Sequence, residues 1–203
     1  FKTKYCVDNV DELLREYQKR PLRLLETDLR HWLHSQDNEK MTALSGREIE
    51  ETYMLEMNRF ELSFKTDLKA KPDTSVQTDY QAIQTVISHP KEVNLIWGPI
   101  FKHMTQRLQS ILKPNVVMCI GHQASSLEAV TNFYKTKLTS ALEIDFSKFD
   151  KSYAERHTLE FFNAMRELGL DEELNQIWRD ISYGFKVKSW KHGVSCVLEH
   201  QMR

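Results

Sequence analysis

Residues 142–152, Leu-Glu-Ile-Asp-Phe-Ser-Lys-Phe-Asp-Lys-Ser, constrain the fold of this chain more than any other stretch. A short apolar run, Leu138, Ala141, Leu142 and Ile144, alternates loosely with polar residues as a half-buried strand does, and delivers Asp145 to its end. A second carboxylate, Asp150, follows, and Ser152 with Glu155 has the form of a capping box that opens a helix. Strand, acidic turn and helix in succession make a place to hold a divalent metal. A carboxylate at a strand end is fixed in direction and offers the hard oxygen that Mg²⁺ prefers. Two aspartates at this spacing are ordinarily solvated turn residues; the whole string is what raises them to a candidate site.

Elsewhere the pattern is mostly helical. Val10, Leu13, Leu14 and Tyr17 recur at helical spacing, and after Pro21 so do Leu22, Leu25, Leu29, Trp32 and Leu33. His31 and His34 read as surface or interface histidines without a metal, because no carboxylate or cysteine lies at ligand spacing. Ser45 and Glu48 form another capping box, predicting a helix through about Phe60 with Ile49, Tyr53, Met57 and Phe60 on one face. Residues 63–78 lose that period and predict extended or irregular backbone. Residues 81–112 return to helix, interrupted near Pro90 and Pro99 and stopped by Pro114. Ser125 with Glu128 caps a helix carrying Leu127, Val130 and Phe133.

Past the acidic turn, Leu159, Phe162, Met165 and Leu168 continue a helix that Gly169 terminates. Asp171 starts another, with Leu174, Ile177, Trp178 and Ile181 inward, ending at Gly184. Residues 185–191 and 194–200 then alternate with a period of two around Lys191-His192-Gly193, a hairpin pattern.

The string Glu143–Ser152 resembles motif A of RNA-directed RNA polymerases from the alphavirus-like positive-strand RNA viruses, most closely the tobamovirus- and closterovirus-type replicases. Lys65-Thr66-Asp67-Leu68-Lys69-Ala70-Lys71, followed by Asp73-Thr74-Ser75-Val76-Gln77-Thr78-Asp79-Tyr80, is similar to their fingers segment with motif F. Ile96-Trp97-Gly98-Pro99-Ile100-Phe101 resembles a further segment of theirs. Three matches in order are specific, and the resemblance covers roughly residues 45–203.

The resemblance implies an α+β chain: a mostly helical fingers segment followed by the first strand and helix of a right-hand polymerase palm. Its divisions would be a helical N-terminal or fingers region (1–62), fingers with the basic segment (63–138), the start of the palm (139–168), and a helix and hairpin leading towards motif B (169–203). It also implies template-directed nucleotidyl transfer with two Mg²⁺ (or Mn²⁺) ions about 4 Å apart. Asp145 would be the catalytic metal carboxylate, with the backbone of Phe146 beside it, and Asp150 would recognise the ribose 2′-hydroxyl. Lys65, Lys69 and Lys71 would meet the triphosphate, and Lys148, Lys151 and Tyr153 would be RNA contacts. Tyr153 departs from the glutamine common at that position in the family.

The implied partners are an RNA template with a primer or nascent strand, nucleoside triphosphates, and a viral methyltransferase-helicase replicase protein or region. The implied setting is the host-cell cytoplasm, in membrane-associated replication complexes without direct membrane insertion. No apolar run approaches membrane-spanning length. Net charge is -1, which neither supports nor excludes nucleic acid, because a polymerase concentrates its cations along a channel. Cys6, Cys119 and Cys196 lie far apart with no Cys-x-x-Cys pair, which argues against zinc and for reduced, buried thiols.

The chain opens at Phe1 and ends at Arg203, where the resembling polymerases continue into motif B and later Gly-Asp-Asp. The expectation is therefore a polymerase fragment, inactive alone. The alternative is a non-catalytic truncated or host-captured viral remnant that binds RNA or protein.

Overall fold

Arg59–Phe64 reads Arg-Phe-Glu-Leu-Ser-Phe, a strict alternation of polar and apolar residues, and forms strand β1 of a four-stranded sheet. The computed structural model describes residues 1–36, 57–64, 85–120, 124–135, 142, 155–189 and 193–200. In those residues there are seven helices: α1 (Lys2–Tyr5), α2 (Val10–Lys19), α3 (Glu26–His34), α4 (Lys91–Ile111), α5 (Ala124–Lys135), α6 (Glu155–Glu167) and α7 (Glu172–Ser182). Strands β2 (Thr85–Ser88), β3 (Tyr183–Ser189) and β4 (Val194–His200) complete the described elements. The mixture of helix and sheet agrees with the expected α+β class.

The chain divides into two units, one of Phe1–Pro21 with His103–Gly169 and one of Leu22–Lys102 with Leu170–Arg203. The second holds the sheet, in the order β2-β1-β3-β4. β1 pairs antiparallel with β2 and parallel with β3, and β3 and β4 form the antiparallel hairpin that the alternating pattern predicts. Gly193 takes a positive φ of 64° beside that turn, a conformation glycine adopts without a Cβ clash.

Beside the sheet, Phe60, Val93, Ile96, Trp97, Ile100, Ile181 and Val187 are buried. Trp178 of α7 lies 4.7 Å from the Trp97 ring and 4.9 Å, edge-on, from Phe101. His89 stacks between Phe60 at 4.2 Å and Trp178 at 5.3 Å. Burying a large apolar side chain such as Trp97 contributes about 3 kcal/mol, so this cluster dominates the unit. Trp32 packs on Gly98, where an added Cβ would strike the indole.

In the first unit, Cys6, Val10, Leu14, Met104, Ile111, Leu112, Phe162, Met165 and Leu168 are buried. The Val7 amide donates to the Ile111 carbonyl at 2.9 Å and the Lys113 amide to the Tyr5 carbonyl at 2.9 Å, which ties the start of the chain to the end of α4.

Several expectations need correction. Phe60 is not the end of a helix but a buried strand residue, because β2 and β3 supply ladder partners on both sides of β1. Residues 85–88 are likewise strand, and the helix begins only after Pro90. Pro99 does not interrupt α4, which runs through it. Leu22 makes an isolated bridge to Leu170, and Leu25 is the exposed N-cap of α3, so neither lies on a helical face. Ser125 falls inside α5 instead of capping it. Gly184 lies within β3, since α7 ends at Ser182. Leu142, placed by pattern in a half-buried strand, is 84% exposed and lies in no helix or strand. Cys6 is buried as expected, but Cys119 and Cys196 are exposed. The capping pair at Ser45 and the cap at Ser152 lie outside the described residues.

Candidate functional site

Every side chain singled out for chemistry lies outside the described residues: Asp145, Phe146, Lys148, Asp150, Lys151 and Tyr153, and likewise Lys65, Lys69 and Lys71. The described elements that flank them in the chain are α6, β1 and β2. α6 starts at Glu155, directly downstream of the acidic segment. β1 ends at Phe64, immediately before Lys65, and its register partner Thr85 begins β2. The lysine segment thus joins the ends of two hydrogen-bonded strands.

α6 forms because Thr158, Phe162 and Met165, at helical spacing, face the interior, while Glu155, Arg156, Glu160 and Arg166 face solvent. Its end is fixed by backbone geometry. Leu168 donates its amide to the Ala164 carbonyl at 2.9 Å, Gly169 donates to the Arg166 carbonyl at 3.0 Å, and Gly169 turns the chain with φ 84°. The Arg107 guanidinium, from α4, donates to the Leu168 carbonyl beyond that end and to the Tyr17 and Arg20 carbonyls at the end of α2. Burial lowers its pKa from the ordinary arginine value, opposed by the neighbouring Tyr17, whose ring lies 4.7 Å away. An arginine remains charged at neutral pH, so the cation sits where helix dipoles favour it.

A second anchor holds the same helix. Lys2 Nζ is 3.2 Å from the Glu167 carboxylate and 3.2 Å from that of Asp11 on α2. The hydrogen bond that Lys2 donates to Glu167 is the main cause of its raised pKa; burial opposes it and Asp11 assists. Exposed pairs of this kind contribute roughly 0–1 kcal/mol.

On the sheet, Arg59 and Lys186 are register partners across the parallel β1–β3 pair, and Glu61 and Lys188 are the next pair on the same face. Three cations and one carboxylate thus share a face of the β1–β3 pair. Neither these residues nor Arg107 stood out in the sequence, since their significance comes from partners far away along the chain. Among the described residues, no group of three histidine, cysteine, aspartate or glutamate side chains is placed to hold a metal. No described helix is long and apolar enough to cross a membrane.

The sequence model of the family described as RNA dependent RNA polymerase matches residues 1–203, so the likeness reaches the N-terminus instead of fading before residue 45. The chain is 32% identical over 180 residues to the RNA-directed RNA polymerase of Barley stripe mosaic virus, covering 88% of this chain and 23% of that protein. It is 30% identical over 179 residues to the replicase large subunit of Soil-borne wheat mosaic virus (strain United States/Nebraska/1981), covering 88% of this chain and 10% of the relative. To the replicase large subunit of Tobacco mosaic virus (strain vulgare) it is 27% identical over 177 residues, 86% of this chain and 11% of the relative. The chain thus spans under a quarter of the length of these relatives.

Proposed function

This chain belongs to the RNA-dependent RNA polymerase family of tobamovirus-like and related plant viruses, and from that premise we propose that it supplies the fingers, motif A and the start of the palm to a template-directed nucleotidyltransferase of viral RNA replication. The observation that carries this reading is the family match over all of residues 1–203, with the Glu143–Ser152 string inside it.

Asp145 is the catalytic carboxylate in this reading, and together with the backbone of Phe146 it holds Mg²⁺ or Mn²⁺. Carboxylate and carbonyl oxygens are the donor set such hard cations take. When bound, the ions lower the pKa of the primer 3′-hydroxyl and neutralise charge on the departing pyrophosphate. Asp150 accepts a hydrogen bond from the ribose 2′-hydroxyl, a contact that a deoxynucleotide does not offer. Lys69 and Lys71, assisted by Lys65, orient the triphosphate as point charges, and Lys148, Lys151 and Tyr153 line the RNA path.

The partners in this reading are template RNA with a primer or nascent strand, nucleoside triphosphates, and a methyltransferase-helicase replicase protein or region. Its setting is the membrane-associated replication complex in the host cytoplasm. A two-metal site takes carboxylates from separate strands, and residues 1–203 contain no Gly-Asp-Asp, so these residues by themselves do not incorporate nucleotide.

The test is incorporation by the polypeptide that the source RNA encodes around this chain, compared with its Asp145→Asn variant. Loss of incorporation in the variant supports the reading. Equal incorporation, or none in the parent polypeptide, defeats it and turns attention to what a non-catalytic chain binds.

A further inference from the structure

The alternation that forms β1 and β3 gives the pair two faces of opposite character. Phe60, Val187 and Ser189 are buried on one face. On the other, Arg59 stands beside Lys186, and Glu61 beside Lys188. Lys186 and Glu61 are exposed there, and Arg59 and Lys188 are half-buried. The row through Glu61 and Lys188 continues at its two ends with Ser88 of β2 and Ser195 of β4, both exposed.

Three features suit this face to a phosphodiester chain. Its two central strands carry three cations against one carboxylate. Residues two apart on a strand are separated by about 7 Å, so Lys186 and Lys188 match successive phosphates of an extended single strand. The serines that end the row are small, which lets a chain lie across the sheet, and their hydroxyls can donate to phosphate oxygens. All three cations also engage neighbours within the chain, and a side chain with several donors can hold a neighbour and a phosphate together.

We propose that this solvent-facing side of the β1–β3 pair binds the phosphodiester backbone of single-stranded RNA, with Arg59, Lys186 and Lys188 as its phosphate contacts. The choice of RNA as the polyanion rests on the polymerase reading above. None of the three is among the residues assigned there to metal, nucleotide or RNA. Such a surface holds RNA without reading its sequence, because phosphate contacts carry no sequence information.

The experiment titrates a labelled single-stranded RNA oligonucleotide of mixed sequence against the polypeptide encoded around this chain, over a range of salt. The variants are Lys186→Gln with Lys188→Gln, Arg59→Gln, and Glu61→Gln. The double variant should bind roughly tenfold more weakly at about 0.1 M salt, with a log–log salt slope shallower by about 1.4, since each single-strand phosphate contact contributes about 0.7. Arg59→Gln should lose about half as much slope. Glu61→Gln should bind roughly threefold more tightly, a direction that damage to the fold cannot produce. Unchanged affinity and slope in every variant overturns the proposal, and so does weaker binding at the parent slope. Equally tight binding of polyglutamate, lost in the double variant, overturns it in favour of an acidic protein partner. Nucleotide incorporation by the parent and by Asp145→Asn is measured alongside, and the polymerase reading stands or falls on that result alone.

Discussion

The α-carbon of Gly169 faces the Arg107 guanidinium with no room for a methyl group between them, and its φ of 84° lies in the region that side chains disfavour. Gly169→Ala should therefore destabilise the chain by about 2–4 kcal/mol, combining left-handed strain with displacement of the arginine from its carbonyls. Denaturant unfolding of the two proteins checks this. A change under about 0.5 kcal/mol would mean that both the arginine and the Tyr17 backbone, which the added methyl group also meets, shift at little cost.

Thr158 lies fully buried on α6, and its hydroxyl has no hydrogen-bond partner among the described residues. An unsatisfied buried hydroxyl costs about 1–3 kcal/mol, and valine has nearly the same shape. Thr158→Val should raise stability by about 1 kcal/mol, read as a higher denaturation midpoint at unchanged slope.

Lys2 carries the pH dependence of the first unit on the alkaline side. Glu167 raises its pKa above 10.5, so the folded chain binds that proton more tightly than the unfolded chain does. Its contribution is complete below about pH 10.5 and disappears as pH rises through the folded value. Because the side chain is 43% exposed, screening keeps the effect well under about 1 kcal/mol. Comparing parent and Lys2→Met stability from pH 9 to 12 should show the gap closing with rising pH.

Asp150 and Lys69 act differently on nucleotide in the proposed function. Asp150→Asn should lower the preference for ribonucleotides at least tenfold while retaining incorporation. Lys69→Ala should instead raise the KM for both sugar types together, because it meets the triphosphate. Steady-state kinetics with paired ribo- and deoxyribonucleotides separates the two.

The legible parts of the fold are those that neighbouring residues decide. Asp171 caps α7 by accepting from the Glu173 amide at 3.1 Å, and Gly169 turns the chain after α6, as their types and spacing predict. The β3–β4 hairpin follows from alternation over residues 185–200. Thr85–Ser88 is a strand that the helical pattern of residues 81–112 hides, because four residues cannot display a period of their own, although the Thr-Val-Ile run is β-branched. Arg107 carried no signal at all: its carbonyls belong to residues 17, 20 and 168, which nothing local connects to it.

Sequence by itself determined the family, the candidate carboxylates and lysines, and the helices whose caps and apolar faces lie within a few positions of each other. Tertiary structure alone decided that Phe60 is a strand residue between β2 and β3, that Pro99 stays inside α4, and which helix ends share one guanidinium. The physical reason is range. Caps and helical faces are satisfied within about four residues, whereas ladder partners and orphan carbonyls are satisfied by whatever the folded chain brings beside them.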